Sequence, residues 1–199
     1  MTPGRPPEYD KGFALSSALS VFWRKGYEAT SLVDLCEATR MSKSTLYAVF
    51  GDKRQLFLTA IQAYSDDLVA ELKKEYLASA GPLSFIEGIL YSVAREAGPR
   101  GERRGCLVMN SATEFAQSDA DVARIVSATL DEMAAVFAEA LRKSRPGGKP
   151  TTGVVEATAL HLVSTIAGMK TMVKAGRSQE ELERVADVAI KQVRSAPLL

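Results

Sequence analysis

Two serines, Ser31 and Ser42, constrain this chain more than any other feature of it. Ser31-Leu32-Val33-Asp34 has the form of a capping box, a hydroxyl followed three residues later by a carboxylate, and predicts a helix start. Leu32, Leu35, Cys36 and Thr39 then fall at i, i+3, i+4 and i+7, one face of a short helix. Arg40-Met41 breaks that run. Ser42 caps a second short helix whose Leu46, Val49 and Phe50 turn inward and whose Lys43, Ser44, Thr45 and Tyr47 turn outward. Two short helices about a tight turn, the second presenting hydroxyls, a lysine and a tyrosine, fit a helix-turn-helix.

Around this core the stretch from Glu28 to Phe57, EATSLVDLCEATRMSKSTLYAVFGDKRQLF, resembles the DNA-binding domain of the TetR/AcrR family of bacterial transcriptional repressors. The resemblance rests on Phe22-Trp23-Arg24-Lys25-Gly26-Tyr27, Thr30-Ser31-Leu32, Ser42-Lys43-Ser44-Thr45-Leu46-Tyr47 and Phe50-Gly51-Asp52-Lys53. It covers about the first 65 residues strongly and weakens beyond them. One position departs: the turn residue, usually glycine in such proteins, is Arg40. A left-handed side chain there costs roughly 1 kcal/mol. Either the turn differs, or the arginine is kept for a phosphate contact.

Bulk properties narrow the classes further. The 46% hydrophobic and 25% charged fractions are those of a globular protein, and a net charge of +1 carries no global signal for nucleic acid. The local signal is better, with Arg40, Lys43, Lys53 and Arg54 against Asp52. No apolar run approaches the ~20 residues of a membrane span, and no leader pattern opens the sequence. Two distant cysteines then imply reduced thiols and a cytoplasmic setting. No metal-ligand spacing and no cofactor motif occurs, so neither a metal nor a cofactor is expected.

The whole chain reads as all-α, with about nine helices. Residues 1–55 form an N-terminal three-helix helix-turn-helix domain, of which residues 1–8 are a Pro/Gly-rich arm. Arg5 in this arm either reaches a minor groove or belongs to a plain tail. Helix 1 runs from Tyr9 to Lys25 with Leu15, Ala18, Leu19 and Phe22 inward. Residues 56–199 form a C-terminal helical ligand-binding and dimerisation domain, entered by a long helix 4 from about Asp52. Gly81-Pro82 is the best linker signal, and Gly98 to Gly105 is a basic connection. Helix 8, from about Val154 to Ala175, is apolar nearly all round, and helix 9, from Gln179, repeats Leu182, Val185, Ala189 and Val193. A helix with so little polar surface needs cover on several sides. Either one subunit buries both helices itself or, as the resemblance implies, a homodimer through helices 8 and 9 covers them, with Ala167-Gly168 allowing close approach.

On this reading Lys43, Ser44 and Thr45 face base edges, with Ser42 and Arg40 beside them, while Tyr47, Lys53, Thr30 and Ser31 meet phosphates of an operator duplex. The resemblance implies a repressor released by a small molecule, whose pocket is expected among Tyr64, Phe85, Tyr91, Cys106, Met109, Asn110, Phe115, His161, Thr165 and Met169. Cys106, following Arg103-Arg104-Gly105 at a helix start, is alternatively an oxidant-sensing thiol or a small buried side chain. Cys36 is expected in the core. The rival classes are an enzyme, against which stands the lone histidine and the lack of a nucleophile with a base, and a helical dimeric interaction module. The latter needs no exposed set from Lys43 to Tyr47.

Overall fold

Capping chemistry draws the element boundaries. The computed structural model describes residues 10–99, 101–115, 117–144 and 152–195. Among these residues there are nine α-helices and no strand: α1 (Lys11–Lys25), α2 (Leu32–Thr39), α3 (Lys43–Phe50), α4 (Lys53–Ala78), α5 (Pro82–Arg95), α6 (Leu107–Phe115), α7 (Ala120–Lys143), α8 (Thr152–Lys174) and α9 (Gln179–Ser195). The arm and its Arg5, like most of the segment between α7 and α8, lie outside the described residues.

Contacts divide the chain into two compact units, Met1–Tyr64 and Ser65–Leu199. The division falls inside α4, which is continuous from Lys53 to Ala78. In the sequence, residue 56 and Gly81-Pro82 are the visible breaks; Pro82 instead opens α5, with both flanking segments in the second unit.

In the first unit, Asp10 caps α1 by accepting from the N–H groups of Gly12 and Phe13. The capping box of α2 is complete: Asp34 N–H donates to Ser31 Oγ at 3.1 Å, and Ser31 N–H to Asp34 Oδ2 at 2.9 Å. Ser42 Oγ caps α3 by accepting from Thr45 N–H at 3.1 Å. Ala14, Ala18, Val21 and Phe22 fill the inner face of α1, leaving Leu15 and Leu19 only half-buried, so the buried stripe is rotated from the expected one. The small alanines let α1 pack closely on α2. Phe22, Tyr27 and Phe57 form an aromatic cluster, with centroids 5.0–6.1 Å apart, and Trp23 meets Tyr64 edge-on at 4.9 Å.

The second unit is a helical bundle in which α5 packs on α9 and α7 on α8. Its core joins Phe85, Leu90, Phe137, Leu141, Leu162 and Leu182. The apolar stripes of α8 and α9 are spent within the subunit: Val155, Ala159, Leu162, Val163, Ile166, Met169, Leu182, Ala189 and Val193 are all buried. What α8 leaves outside is a strip of Ala157, Leu160, His161, Ser164 and Gly168. Gly101 closes the α5–α6 connection, where an added Cβ would lie 1.8 Å from the Glu96 carbonyl oxygen. Only glycine fits that approach.

Candidate nucleic-acid interface

The geometry of α3 follows from its two anchors. Leu46 and Phe50 are buried, Met41 is buried just before the helix, Val49 is half-buried, and Ser42, Lys43, Ser44, Tyr47 and Ala48 are exposed. Lys43, Ser44 and Tyr47 lie fully on the outer surface, while Thr45 is half-buried. Ser42 Oγ lies 2.9 Å from Ser44 Oγ and 2.8 Å from Thr45 Oγ1, so the three hydroxyls form one hydrogen-bonded group at the helix start. Such a group can turn its donors and acceptors together toward a polar partner.

The cations around α3 share an arrangement. Lys43 Nζ lies 5.7 Å from the Tyr47 ring centroid, Lys53 Nζ 4.2 Å from that of Tyr27, and Lys11 Nζ 5.7 Å from that of Phe50. The Arg40 guanidinium carbon is 5.5 Å from the Phe13 centroid. Aromatic rings hold cations by their quadrupole without cancelling the charge. Lys25 is the contrasting case: it donates to Asp34 Oδ1 at 2.6 Å. That bond, with those from Ser31, holds the Asp34 carboxyl at about 2, well below its ordinary value.

Of the residues nominated for DNA, Ser31, Arg40, Ser42, Lys43, Ser44 and Tyr47 are exposed, and Lys53 and Thr45 half-buried. Thr30 is a correction. Its side chain is 1% exposed, its hydroxyl donates to the Gly26 carbonyl at 2.6 Å, and its N–H to the Tyr27 carbonyl. Both donors are used in joining α1 to α2, which leaves none for a phosphate. Arg40 is left-handed, with φ 57 and ψ 28. Cys36 is only half-buried, at the edge of the α2 inner face. Phe13 and Lys11 escaped the sequence reading. The available signal was an aromatic at Phe13 off the inner stripe of α1.

The residues nominated for a ligand occupy several places in the fold. Tyr64 belongs to the first unit, against Trp23. Phe85 and Met169 are core side chains, Phe85 stacking on Phe137 at 5.5 Å. Tyr91 donates its hydroxyl to Asp187 Oδ1 at 2.5 Å, and this bond pushes its phenol up from the ordinary value. His161 is exposed on the outer strip of α8, with Nε2 2.8 Å from Gln192 Oε1. Met109, Asn110, Phe115 and Thr165 are half-buried, and Cys106 is buried just before α6. Asn110 joins the α5–α6 connection to α8, donating to the Arg104 carbonyl and accepting from Lys174 Nζ. Among the described residues, clefts occur beside Tyr76 and Val136, beside Ala138 and Ala159, and beside Arg95 and Gln179; none of the ten nominated side chains lines any of these three. No group of three metal-ligating side chains occurs among the described residues, and none of their helices is long and apolar enough to cross a membrane.

Residues 14–60 match the family of bacterial regulatory proteins, tetR family, and residues 82–188 match the C-terminal domain of LmrA/YxaF-like transcriptional regulators. The chain is 28% identical over 190 residues to the HTH-type transcriptional repressor ComR of Escherichia coli, covering 94% of this chain and 90% of that protein. A cysteine mutant of the TetR family regulator CifR, solved with 26-base-pair operator DNA, superposes with a TM-score of 0.80 at 27% identity, covering 94% of this chain and 98% of that one. SCO4454 of Streptomyces coelicolor, at 19% identity and a TM-score of 0.79 over 94% and 95% of the two chains, shares the fold.

Proposed function

This chain belongs to the TetR family of bacterial regulatory proteins, and on that premise we propose that it is a cytoplasmic repressor that releases a palindromic operator when a small molecule binds its C-terminal unit. It is a DNA-binding, ligand-responsive transcriptional regulator whose partner is double-stranded operator DNA. The observation that carries the reading is the exposed face of α3, where Lys43, Ser44 and Tyr47 stand outward from a helix anchored by the buried Leu46 and Phe50. A helix so placed lies in a major groove with its first turn at the base edges. Lys43 donates to guanine O6 and N7, Ser44 to either kind of base, and the Thr45 methyl packs on thymine. Tyr47, Lys53 and the Ser31 hydroxyl fix the register through phosphates, aided by the N–H groups that open α4.

The protein works as a homodimer. Support for the surfaces comes from the outer strip of α8 and from α9, where Leu160 is 54% and Val188 57% exposed and an added Cβ on Gly168 would meet nothing within 4 Å. A two-fold axis through this strip would cover it, and reading a palindrome requires the two copies of α3 about 34–36 Å apart. Effector control requires a ligand that favours one spacing of the reading helices over the other. Because α4 is one helix supplying residues to both units, it is the element able to carry that preference. Of the nominated pocket side chains, Met109, Asn110, Phe115 and Thr165 keep the access a ligand needs.

The test is sedimentation combined with a gel-shift titration on DNA upstream of the protein's own gene. A dimer giving a salt-sensitive specific band is expected. A monomer, or a band that random duplex competes away equally, refutes the reading.

A further inference from the structure

Arg40 is the one non-glycine residue with positive φ among the described residues. A left-handed arginine is strained relative to glycine, and local strain of this kind collects at functional positions. Its guanidinium sits over Phe13, in the first turn of α1, and no carboxylate pairs with it among the described residues. Phe13 is 44% exposed, and its ring touches no other aromatic ring there. Neither residue is explained by packing. Phe13 lies outside the buried stripe of Ala14, Ala18, Val21 and Phe22, and Arg40 occupies a turn that glycine would fill without strain.

We propose that Phe13 is a positioning residue that holds the Arg40 guanidinium for a DNA phosphate flanking the bases read by α3. The proposal rests on the DNA-reading role of α3. Arg40 precedes the Ser42 cap by two residues, so its side chain leaves the backbone at the start of that helix. A planar guanidinium can lie with one face on an aromatic ring while its edge N–H groups still point outward for a bidentate phosphate contact. A carboxylate in the place of Phe13 would fix the arginine equally well but would occupy those N–H groups and repel the phosphate. The ring immobilises the cation and leaves its charge available.

The experiment is a double-mutant cycle on the full-length protein, with Phe13→Leu, Arg40→Gly and their combination. Binding is titrated over a salt series against the upstream duplex and a random-sequence duplex. A phosphate contact carries no sequence preference, so both probes must report it. Arg40→Gly is expected to leave thermal stability unchanged or raised, and to reduce the slope of log affinity against log salt by about one for each subunit bound. Phe13→Leu retains apolar bulk; it should weaken binding by about two- to fivefold per subunit, the worth of an exposed cation–π contact, and keep the slope. Phe13→Trp should restore it. In the Arg40→Gly background, Phe13→Leu should have no further effect. Equal weakening by Phe13→Leu in both backgrounds would overturn the proposal, as would wild-type affinity and slope in Arg40→Gly. Failure of the underlying reading looks different: the wild-type protein itself then gives no salt-sensitive complex.

Discussion

Four cations of the first unit and four of the second are held in different ways, although Lys143 in the second both pairs with Glu139 and lies 5.6 Å from the Tyr76 ring centroid. In the first, Lys11, Arg40, Lys43 and Lys53 lie over Phe50, Phe13, Tyr47 and Tyr27. In the second, Lys73 meets Glu132, Arg142 meets Glu156, Lys170 meets Glu96, and Arg194 meets Glu87. A carboxylate neutralises the charge it fixes, whereas an aromatic ring fixes it and leaves the field intact. The first arrangement suits a surface that must still attract a polyanion; the second suits helices whose charged faces meet only one another and water. A net charge of +1 is therefore a poor guide to the surface, because most of the acidic residues lie in the second unit.

The comparison breaks most visibly if the second unit is held by its ion pairs and not by its core. Phe137 is fully buried and stacks on Phe85, so Phe137→Ala should lower stability by about 3–5 kcal/mol in urea denaturation. A loss under 1 kcal/mol would mean that the bundle depends on its charged faces instead.

Next in size is Lys53→Ala, which tests whether a ring-held cation is free for phosphate. It should weaken binding to specific and random duplexes alike, on the order of tenfold, and reduce the salt slope by about one per subunit. Thr45→Ala, by contrast, should alter which operator is preferred. If Lys53→Ala moves neither affinity nor slope in a gel shift, Tyr27 is storing that charge and not presenting it.

Much of this molecule was legible before folding because capping is local chemistry. Ser31 with Asp34, and Ser42 with the Thr45 N–H, act across three residues, so their bonds stand in the sequence as patterns. The glycine-type conformation at Arg40 was legible for the same reason, as a turn position with the wrong residue in it. Long-range placement was not. Nothing local says that Phe13 and Arg40 meet, since that depends on how α1 packs beside the turn. An α8 apolar nearly all round does not declare which face its own subunit consumes, so the outer position of His161 could not be read from it. Thr30 misled because a hydroxyl before a helix looks the same whether it faces solvent or closes the preceding turn on Gly26.

Acid sharpens the contrast within the first unit at the Lys25–Asp34 pair. The Asp34 carboxyl is held at about 2, chiefly by the Lys25 hydrogen bond. A depressed carboxylate contributes stability that is present above its unfolded value and lost as pH falls through its folded one. The contribution should fade between about pH 4 and pH 2, seen as a steeper drop in melting temperature for wild type than for Asp34→Asn. Identical acid profiles would show that the capping box holds without its charge.

The smallest effect is the most pointed contrast with Lys53. Arg194 and Glu87 are 2.6 Å apart on exposed helix faces, with side chains 61% and 28% exposed. Water competes for both ions at such a site, and ordering two flexible side chains offsets the remaining attraction, so pairs of this kind contribute about 0–1 kcal/mol. Glu87→Gln should therefore shift the urea midpoint little and leave the salt dependence of DNA binding at its wild-type slope. If that slope steepens instead, the freed Arg194 has joined the field felt by the duplex. The carboxylates of the second unit would then act as shields that limit how much of the protein a polyanion can attract, and would do more than staple helices.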